Sequence, residues 1–308
     1  MITVKRLQAH PLKHSRRGDG LTAWLFVAPI LLGILIFAVY PIVFSLYASF
    51  TRWNLINPPV WNGLENYVTL FTKDPTFPTT IQNTLTFALC TVLIGAFLSL
   101  LLALLMNIKC TGQNFFRALI FAPIIVPTAA AALTWSWLYE PSSAGIINAG
   151  LKLFGIGPVP WLNNTHYALW AIIIEAIWAQ LGFNAVIYLA GLQSIPTEYY
   201  EAAEIDGANA INKFIHITLP GISPITFFVL VTSIINAIQI FDIPWVMTQG
   251  GPSNATQMIV MYLYVNAFRL QRMGLASAMG YIVFIAIMII TFINFRLSKM
   301  WVFYEETI

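Results

Sequence analysis

The sequence predicts an all-α integral membrane protein with six transmembrane helices and both termini in the cytoplasm. Of its 308 residues, 58 % are apolar or aromatic and only 9 % are charged, whereas a soluble domain carries about 25 % charged residues. So few charges cannot cover a surface that faces water, and most of the exterior must therefore face lipid. In addition, stretches without any charge, each long enough for a helix of about 20 residues, recur along the whole chain.

The charge-free stretches locate the spans, because a charge at the centre of a bilayer costs about 2.5–3.5 kcal/mol on an insertion scale. Four stretches are uninterrupted: 20–51, 75–108, 118–139 and 273–295. Of the other two, one is interrupted only by Glu175 and one opens with Pro220 and Pro224. Within a single domain, 1–308, we predict spans at about 22–45, 81–106, 118–139, 168–192, 222–241 and 274–296.

An even number of spans places both termini on one side of the membrane, and the positive-inside rule selects the cytoplasm. Residues 1–20 form a basic cytoplasmic tail, and this orientation puts ten of the 15 Lys and Arg residues inside and five outside. The apolar stretch after the tail is too long for the core of a signal peptide and has no small-residue cleavage site. We therefore expect it to remain as the first span.

Other function classes lack their signatures in this sequence. The net charge is only +3 and the basic residues are spread along the chain, which argues against a nucleic acid partner. The chain has no Gly-Lys dipeptide, hence no phosphate-binding loop, and its four histidines show no metal-binding spacing. Cys90 and Cys110 are expected at different depths, as reduced thiols. We predict that the chain is not an enzyme and itself binds no metal or cofactor.

The cytoplasmic segment 193–219 is expected to fold as two short helices joined by a turn. Ser194 is a candidate cap for the first helix, and Pro196 suits its first turn. Gly207 permits the backbone conformation that ends this helix. The second helix is expected over about 208–217, because Pro220 lacks an amide donor and disfavours helical geometry in the residue before it.

The first of these helices has a surface that suits docking into a groove. Glu198, Glu201 and Ile205 share one face, while Ala202 and Ala203 leave room for another backbone to come close. A solvated amphipathic connector would have the same pattern, and the spacing alone does not separate these two interpretations.

Two sets of motifs resemble one transporter family. The first set is Glu201-Ala202-Ala203, Asp206-Gly207-Ala208, Leu219-Pro220 and Pro224. It resembles the EAA signature of ATP-binding-cassette (ABC) importer permeases. The second set is Tyr40-Pro41, Gly63-Leu64-Glu65-Asn66-Tyr67, Gln239-Ile240-Phe241-Asp242, Thr248, Gly250-Gly251-Pro252, Phe268 and Met273-Gly274-Leu275-Ala276-Ser277-Ala278. It is similar to the carbohydrate-uptake branch, in particular to permeases of the maltose and glycerol-3-phosphate type.

The resemblance implies a complex in the bacterial or archaeal cytoplasmic (inner) membrane. Its other members would be a second homologous permease, two cytoplasmic ATPase subunits that bind ATP and magnesium, and an extracytoplasmic solute-binding protein, with lipid around the permeases. The implied function is import of a sugar or oligosaccharide by alternating access driven by ATP hydrolysis on the partners. Glycerol-phosphate esters or another polar solute on the same architecture, and an ion-coupled secondary carrier, remain as alternatives.

The resemblance also implies roles for the residues of the EAA loop. The loop would sit in a cleft of one ATPase subunit, with Glu201 facing a basic group and Gly207 forming the turn between the coupling helices. The docking surface would be completed by Ala202, Ala203, Asp206 and Ala208.

In the family the sugar sits near the middle of the membrane, between helices that flank the EAA loop. Sugars are bound by amide hydrogen bonds and an aromatic platform, and polar side chains inside spans 4 and 5 fall on single helical faces. We expect the solute pathway to be lined by Gln180, Phe183, Asn184, Ser233, Asn236 and Gln239. Hydrogen bonding between helices is the alternative role for each. Neither span contains a basic residue, which favours a neutral sugar over a phosphate ester.

Spans 3 and 4 carry further unusual residues. Glu175 lies early in span 4 and is expected to reach water at the outer end, with a functional role inside the membrane as the alternative. Pro123 and Pro127 are expected to interrupt span 3. The aromatic residues at the outer end of span 3 are expected to be interfacial anchors: Trp135, Trp137 and Tyr139.

Overall fold

The structure is a computed structural model that describes residues 17–108, 111–142 and 145–303. Most of the predicted basic tail and Cys110 lie outside these residues. The α-helices are α1 (Arg17–Ile34), α2 (Tyr40–Ser49), α3 (Glu65–Thr72), α4 (Thr76–Asn107), α5 (Gln113–Phe121), α6 (Thr128–Leu138), α7 (Ile146–Lys152), α8 (Ala168–Ser194), α9 (Thr197–Ile205), α10 (Ala210–Lys213), α11 (Leu219–Gly221), α12 (Ser223–Ile238), α13 (Asp242–Met247), α14 (Ile259–Tyr264) and α15 (Met273–Trp301). Strands β1 (Thr51–Arg52) and β2 (Val60–Trp61) form an antiparallel ribbon.

Irregular helical turns connect several of these helices. A 3₁₀ turn, Ala122–Ile125, follows α5, and π-helical turns join α1 to α2, α10 to α11, and α14 to the loop before α15. The π-helical turns are Leu35–Val39, Phe214–Thr218 and Val265–Arg269.

Among the described residues, five helical segments are long and apolar enough to cross a membrane. They are Ala23–Ser49, Thr76–Asn107, Ala168–Ser194, Ser223–Met247 and Met273–Trp301. A sixth crossing results if the bent pair Gln113–Ile125 and Thr128–Leu138 counts as one span. Each of the six predicted spans overlaps one of these segments.

The bent pair confirms that span 3 is interrupted at its prolines. Its two arms meet at 99°. Val126 is extended, with ψ 126°, because the ring of Pro127 disfavours helical geometry in the residue before it. The second arm, α6, starts directly after this proline. The chain therefore turns sharply within the apolar region, where neighbouring helices must shield its free backbone groups.

The core is built around α8, which packs along α4, with α12 against both helices. One buried cluster includes Phe77, Phe87 and Ile172, and a second, nearer the segment between α8 and α12, includes Tyr188 and Ile222. Because lipid is as apolar as these side chains, close packing holds such helices together rather than exclusion from water.

Gly182 shows how closely the helices approach one another. A Cβ atom on Gly182 would lie 3.0 Å from the carbonyl carbon of Ile120 and 3.2 Å from Cα of Phe121. The backbone at the end of α5 therefore rests directly on α8, and only glycine fits between them.

The Gly250-Gly251-Pro252 motif lies in a compact loop between α13 and α14. Asn83 on α4 donates its amide hydrogens to the carbonyl oxygens of Asn254, at 2.8 Å, and Gln257, at 3.2 Å. Gly250 has φ +89°, in the left-handed region that favours glycine. The loop is therefore tied to α4 by a side chain 171 positions away in sequence.

The first apolar segment stands apart from the other helices. None of the apolar window in Ala23–Ser49 is buried, whereas the windows of the other four segments are 22–50 % buried. Trp24 and Phe26 are 67 % and 79 % exposed. Only the later part of the segment, α2, packs against another long helix, α15.

Two expectations about the membrane interior are wrong. Glu175 does not reach water, because its side chain is fully buried in α8. Tyr139 is not an interfacial anchor: it is only 2 % exposed, and its hydroxyl donates to the carbonyl oxygen of Ala171 at 3.2 Å. Both residues face inward because the bend of span 3 brings α6 against α8.

We expect Gly182→Ala to lower the free energy of unfolding by about 1–3 kcal/mol, because the new methyl group displaces the backbone at Ile120. Thermal unfolding of the detergent-solubilised chain measures this effect. Gly95→Ala is the matched control, since a Cβ there meets nothing within 4 Å and alanine favours the helix. Equal melting temperatures for Gly182→Ala and wild type would contradict the close approach.

Candidate functional site

The segment between α8 and α12 folds as a helical hairpin made of α9, a turn and α10, which we call the EAA hairpin (residues 197–213). Gly207 has φ +76°, and its amide donates to the carbonyl oxygen of Glu204 at 3.0 Å. The next amide, of Ala208, donates to the carbonyl oxygen of Ala203 at 2.9 Å. These bonds satisfy the last carbonyls of α9. The expectation that Gly207 ends the first short helix is confirmed.

Two side-chain interactions hold the second half of the EAA hairpin. Asn209 caps α10, with its Oδ1 accepting the amide of Asn212 at 2.8 Å. Lys213 donates from Nζ to Oε1 of Glu204 at 2.7 Å and so bridges α10 and α9. The hydrogen bond and charge of Lys213 lower the pKa of the exposed Glu204 carboxyl below its ordinary value. The cap stabilises the start of α10, and the ion pair links α10 to α9.

The EAA hairpin presents its sequence-predicted residues at the surface. The side chains of Glu201, Ala202 and Asp206 are exposed, as is Gly207, and Ala203 and Ala208 are half-buried. Large apolar side chains accompany them: Ile205 is 87 % exposed and Ile211 is 68 % exposed. Exposed apolar groups beside polar ones, outside the candidate spans, are typical of a protein interaction surface.

A groove of about 660 Å³ lies between α9 and the helical segment that follows α10. Its walls include Ala202 and Ala203 on one side and Ile217 and Pro220 on the other, and Phe303 lies at its edge. The small side chains of α9 therefore border a concave surface, as expected of a helix that another backbone approaches.

Two details of the hairpin differ from the sequence-based prediction. Ser194 does not cap α9, because its hydroxyl donates to the carbonyl oxygen of Gly191 within α8. The second helix does not stop before Pro220: it continues through the π-helical turn Phe214–Thr218 into α11. The π-helical turn shifts the hydrogen-bond register just before the proline, which accommodates a residue without an amide hydrogen.

Close packing joins α8 to α12 and α11 to the end of α8, and the EAA hairpin contacts this region through Tyr200. A Cβ on Gly191 would lie 2.7 Å from Cγ1 of Ile225, and one on Gly221 would lie 2.8 Å from Cδ1 of Ile195. The hydroxyl groups of Tyr200 and Thr218 are hydrogen bonded at 3.0 Å. Tyr200 therefore links the EAA hairpin to the packed ends of α8 and α12.

The six residues predicted to line a solute pathway lie on α8 and α12 or directly after α12. The side chains of Asn184 and Ser233 are 6 % and 7 % exposed. Phe183 is 45 % exposed, Gln180 is half-buried, and Asn236 and Gln239 are exposed. Two of the six therefore face the interior of the chain, whereas the others lie wholly or partly at its surface.

The antiparallel packing of the two helices brings these residues to similar depths. Gly191 of α8 faces Ile225 of α12, and a helix advances about 1.5 Å per residue. Counting back along α8 and forward along α12 therefore places Asn184 near the level of Thr232, and Gln180 near the level of Asn236.

None of the five polar side chains in this set makes a hydrogen bond to another described residue. By contrast, the neighbouring Thr232 donates to the carbonyl oxygen of Phe228 at 2.8 Å within its own helix. Polar groups that join helices would be hydrogen bonded across the interface. The set is Gln180, Asn184, Ser233, Asn236 and Gln239.

Sequence reasoning missed a second polar region, at the opposite end of the helices from the EAA hairpin. Here the amide of Asn66 donates to the carbonyl oxygens of Ser49, at 2.8 Å, and Thr51, at 2.9 Å. The Gly63–Tyr67 motif contains this asparagine and is the sequence pattern that pointed to this region. It did not indicate which residues from elsewhere in the chain lie beside it.

Comparisons with known proteins agree with the motifs. Residues 92–300 match the family described as binding-protein-dependent transport system inner membrane component. The chain is 37 % identical to the probable ABC transporter permease protein YesP of Bacillus subtilis, covering 97 % of each chain. It is 34 % identical to the arabinooligosaccharides transport system permease protein AraP of the same organism, over 97 % of this chain and 98 % of the relative.

A solved structure shares the fold. It is a bacterial ABC transporter involved in the import of the acidic polysaccharide alginate. One of its chains superposes with a TM-score of 0.81 at 26 % identity, covering 92 % of this chain and 97 % of that chain.

We expect Asn209→Ala to destabilise α10 by about 1 kcal/mol, because the amide of Asn212 loses its capping oxygen. Hydrogen–deuterium exchange of residues 210–213 should accelerate about fivefold. Asn209→Asp retains a capping oxygen and is the control, with exchange close to wild type. Unchanged exchange in Asn209→Ala would show that the cap does not hold the hairpin.

Proposed function

The chain belongs to the family of binding-protein-dependent transport system inner membrane components, and from this premise we propose that it imports a sugar or oligosaccharide into the cytoplasm. It is a multi-pass inner-membrane protein and a permease of a carbohydrate ABC transporter. The proposed mechanism is alternating access, driven by ATP hydrolysis on two partner subunits that carry the ATP and magnesium. The observation that carries the proposal is the exposed EAA hairpin, packed against the ends of both helices that bear the predicted pathway residues.

The surface of the EAA hairpin supports docking to a cytoplasmic ATPase subunit. Ile205 exposes 87 % of its side chain outside the candidate spans, where burial against a protein would be favourable. The exposed carboxyl of Glu201 stands on the same helix, ready to meet a basic group. Ala202 and Ala203 border the groove and allow close approach. The proposed orientation therefore places this hairpin and both termini in the cytoplasm.

The packing of the EAA hairpin supports mechanical coupling. Gly191 permits close contact between α8 and α12, and Tyr200 of the hairpin packs against the buried side chains at the ends of these two helices. When the ATPase subunits close, the hairpin is displaced, and α8 and α12 tilt with it. The same helices carry Asn184 and Ser233, so nucleotide-driven closure changes the access of the pathway residues to either side of the membrane.

The free hydrogen-bonding capacity on α8 and α12 supports a solute pathway there. Asn236 and Gln239 are exposed on an otherwise apolar surface, where contact with lipid would be costly. That cost is removed if these two side chains face a hydrophilic pathway that the chain shares with a second permease. Phe183 supplies an exposed aromatic ring at about the level of Ser233, suitable for stacking against a sugar.

The exposed start of the first segment supports the second permease as a partner. Ala23–Ser49 has none of its apolar window buried, although lipid alone would accept it. The exposed pathway face of α12 needs a protein opposite it, and a homologous subunit would provide that protein. The EAA hairpin of this second subunit would dock to the second ATPase. An extracytoplasmic solute-binding protein would deliver the sugar to this pair.

The described part of α8 and α12 contains no Lys or Arg, which favours a neutral sugar over a glycerol-phosphate ester. Glu175 is the single acid buried in either helix. An ion-coupled carrier would be expected to use a relay of several such groups. The proposal is therefore tested against two alternatives, a phosphate ester as the solute and coupling of transport to an ion.

The defining experiment is to purify the chain from its native membrane, identify its partners by mass spectrometry, and assay ATP hydrolysis with a panel of sugars and the solute-binding protein. The expected result is copurification of an ATPase and a second permease, with one sugar raising turnover. Stimulation by a glycerol-phosphate ester would assign the alternative solute. A chain that purifies alone and transports solute in liposomes without ATP would overturn the proposal.

Gly207→Val should abolish solute-stimulated ATP hydrolysis in the assembled complex, as should Glu201→Lys. A β-branched residue at φ +76° costs about 1–3 kcal/mol of backbone strain, which distorts the hairpin, and lysine reverses the charge offered to the ATPase. Gly155→Val is the matched control, because Gly155 has φ +74° and open space around it but lies outside the hairpin. Wild-type stimulation in the double mutant Glu201→Lys/Gly207→Val would refute the docking role.

Asn236→Ala should lower transport about tenfold, the equivalent of about 1.4 kcal/mol, because a hydrogen bond to the solute is lost. The affinity of the external binding protein for sugar should not change. Thr232→Ala is the control, since the hydroxyl of Thr232 is bonded within its own helix. Uptake of radiolabelled sugar into proteoliposomes measures both variants. Unaltered transport in the alanine variants of Gln180, Asn184, Ser233 and Asn236 would remove the proposed pathway.

A further inference from the structure

The short helix α3, in the loop between the first two apolar segments, turns an apolar side outward. Leu64, directly before the helix, and Val68 and Phe71 within it are spaced i, i+4 and i+7, so they share one face. These three side chains are 51–62 % exposed. The opposite side, with the polar Asn66 and with Leu70, is buried. Because a helix surrounded by water exposes its polar side instead, the outer side of α3 is suited to apolar surroundings.

α3 is attached to the protein at the level where two apolar segments end. The amide of Asn66 donates to the carbonyl oxygen of Ser49, and the hydroxyl of Tyr67 donates to Oγ of Ser49, both at 2.8 Å. Ser49 is the last residue of the first apolar segment. A Cβ on Gly274, near the start of the segment Met273–Trp301, would lie 3.2 Å from Nδ2 of Asn66. The helix therefore lies beside the ends of both segments.

A third apolar segment begins close to the end of α3. Four peptide units join Thr72, the last residue of α3, to Thr76, the first residue of α4, and they span at most about 14 Å. The rings of Phe71 and Phe77 are in contact, with centroids 5.4 Å apart. The ends of apolar helices mark the depth at which the hydrocarbon of a bilayer meets its headgroups. α3 therefore lies at this boundary, on the outer side in the proposed orientation.

Aromatic rings connect the outer side of the loop to the first apolar segment. The ring centroid of Trp61, in β2, lies 6.2 Å from that of Tyr47 and 5.6 Å from that of Phe50. Phe50 in turn lies 5.6 Å from Tyr67 of α3. Trp61 and Tyr47 are both exposed, and Tyr47 belongs to the first apolar segment. Trp and Tyr are enriched at the surfaces of membranes, where one end of the side chain is apolar and the other is polar.

We use the name loop face for the exposed side chains of Trp61, Leu64, Val68 and Phe71. The loop face carries no charge, and the acid beside it is compensated, because Nη2 of Arg52 lies 3.0 Å from Oε2 of Glu65. Lys73 is exposed directly after α3, where a long basic side chain reaches lipid phosphates while its stem contacts apolar surface. The depth of the loop face and its continuity with an exposed apolar segment favour lipid over a soluble partner.

We propose that the loop face is an interfacial membrane anchor, which inserts between the lipid headgroups at the outer surface of the bilayer. An amphipathic helix of this kind lies in the plane of the interface with its apolar side buried by about 5–10 Å. The anchor fixes the depth of the outer ends of the apolar segments to which α3 is attached. It goes beyond the proposed import function, since it depends neither on the solute nor on ATP.

The test places the assembled transporter in nanodiscs of phosphatidylethanolamine and phosphatidylglycerol, with or without bromine on the acyl chains. A single cysteine, Val68→Cys in a Cys90→Ser/Cys110→Ser background, carries an environment-sensitive fluorophore. Brominated lipid should quench this label at least about threefold more strongly than iodide in the water does, because the label lies among acyl chains.

Glu65→Cys is the matched control, since Glu65 is an exposed residue of the same helix about 100° around it from Leu64. Its ion pair with Arg52 is exposed, so its loss costs little stability. This label should be quenched more strongly by iodide than by brominated lipid. With the label at Leu64→Cys, Val68→Glu should reduce quenching by brominated lipid at least about threefold, because a charged side chain favours water. Val68→Ile should leave this quenching unchanged.

Three results would overturn the proposal. Stronger quenching of the Val68→Cys label by iodide than by brominated lipid would place the loop face in water. Iodide quenching that disappears when the solute-binding protein is added would make it a protein-docking surface. Protection from both quenchers would show that another subunit covers it. Sugar-stimulated ATP hydrolysis, measured on the same nanodiscs, reports on the importer function separately, so either proposal can fail while the other stands.

Discussion

The structure depends on one physical constraint, the absence of water from the interior of the bilayer. Every backbone amide and carbonyl there must be bonded within the protein, which makes helices the only long elements available to a chain of this composition. The same constraint makes each polar side chain in a span informative. Thr232 bonds to its own helix, whereas Asn184, Ser233 and Asn236 have no partner among the described residues. The proposed hydrophilic pathway would remove their cost to stability.

Close packing around glycine joins the helices that carry the proposed pathway. Gly191 allows α8 to touch α12, Gly221 allows α11 to touch the end of α8, and Gly182 allows α5 to rest on α8. In lipid, such contacts replace the hydrophobic effect as the force between helices. They also make the assembly stiff, so that a displacement imposed on the small polar hairpin reaches the helices in the membrane. Gly207 has a different role, since it ends α9 through its left-handed backbone conformation.

The proposed functional surfaces lie where the isolated chain leaves apolar groups exposed. The EAA hairpin exposes Ile205, and the start of the first apolar segment is exposed. Each of these features is unfavourable for the isolated chain and becomes favourable in contact with a partner or a ligand. The proposed transporter supplies an ATPase for the first and a second permease for the second.

The sequence by itself determined the helical membrane class, the positions at which each predicted span overlaps a helix, and the turn at Gly207. These features depend on local properties, namely the cost of a charge in lipid, the length of a helix and the backbone freedom of glycine. Only the tertiary structure decided that Glu175 is buried, that Tyr139 faces inward, and that the helix continues through Pro220. It alone brought Asn66 to the carbonyl oxygens of Ser49 and Thr51. Those features depend on the 99° bend, on a shift of hydrogen-bond register and on contacts between residues distant in sequence, which no local pattern records.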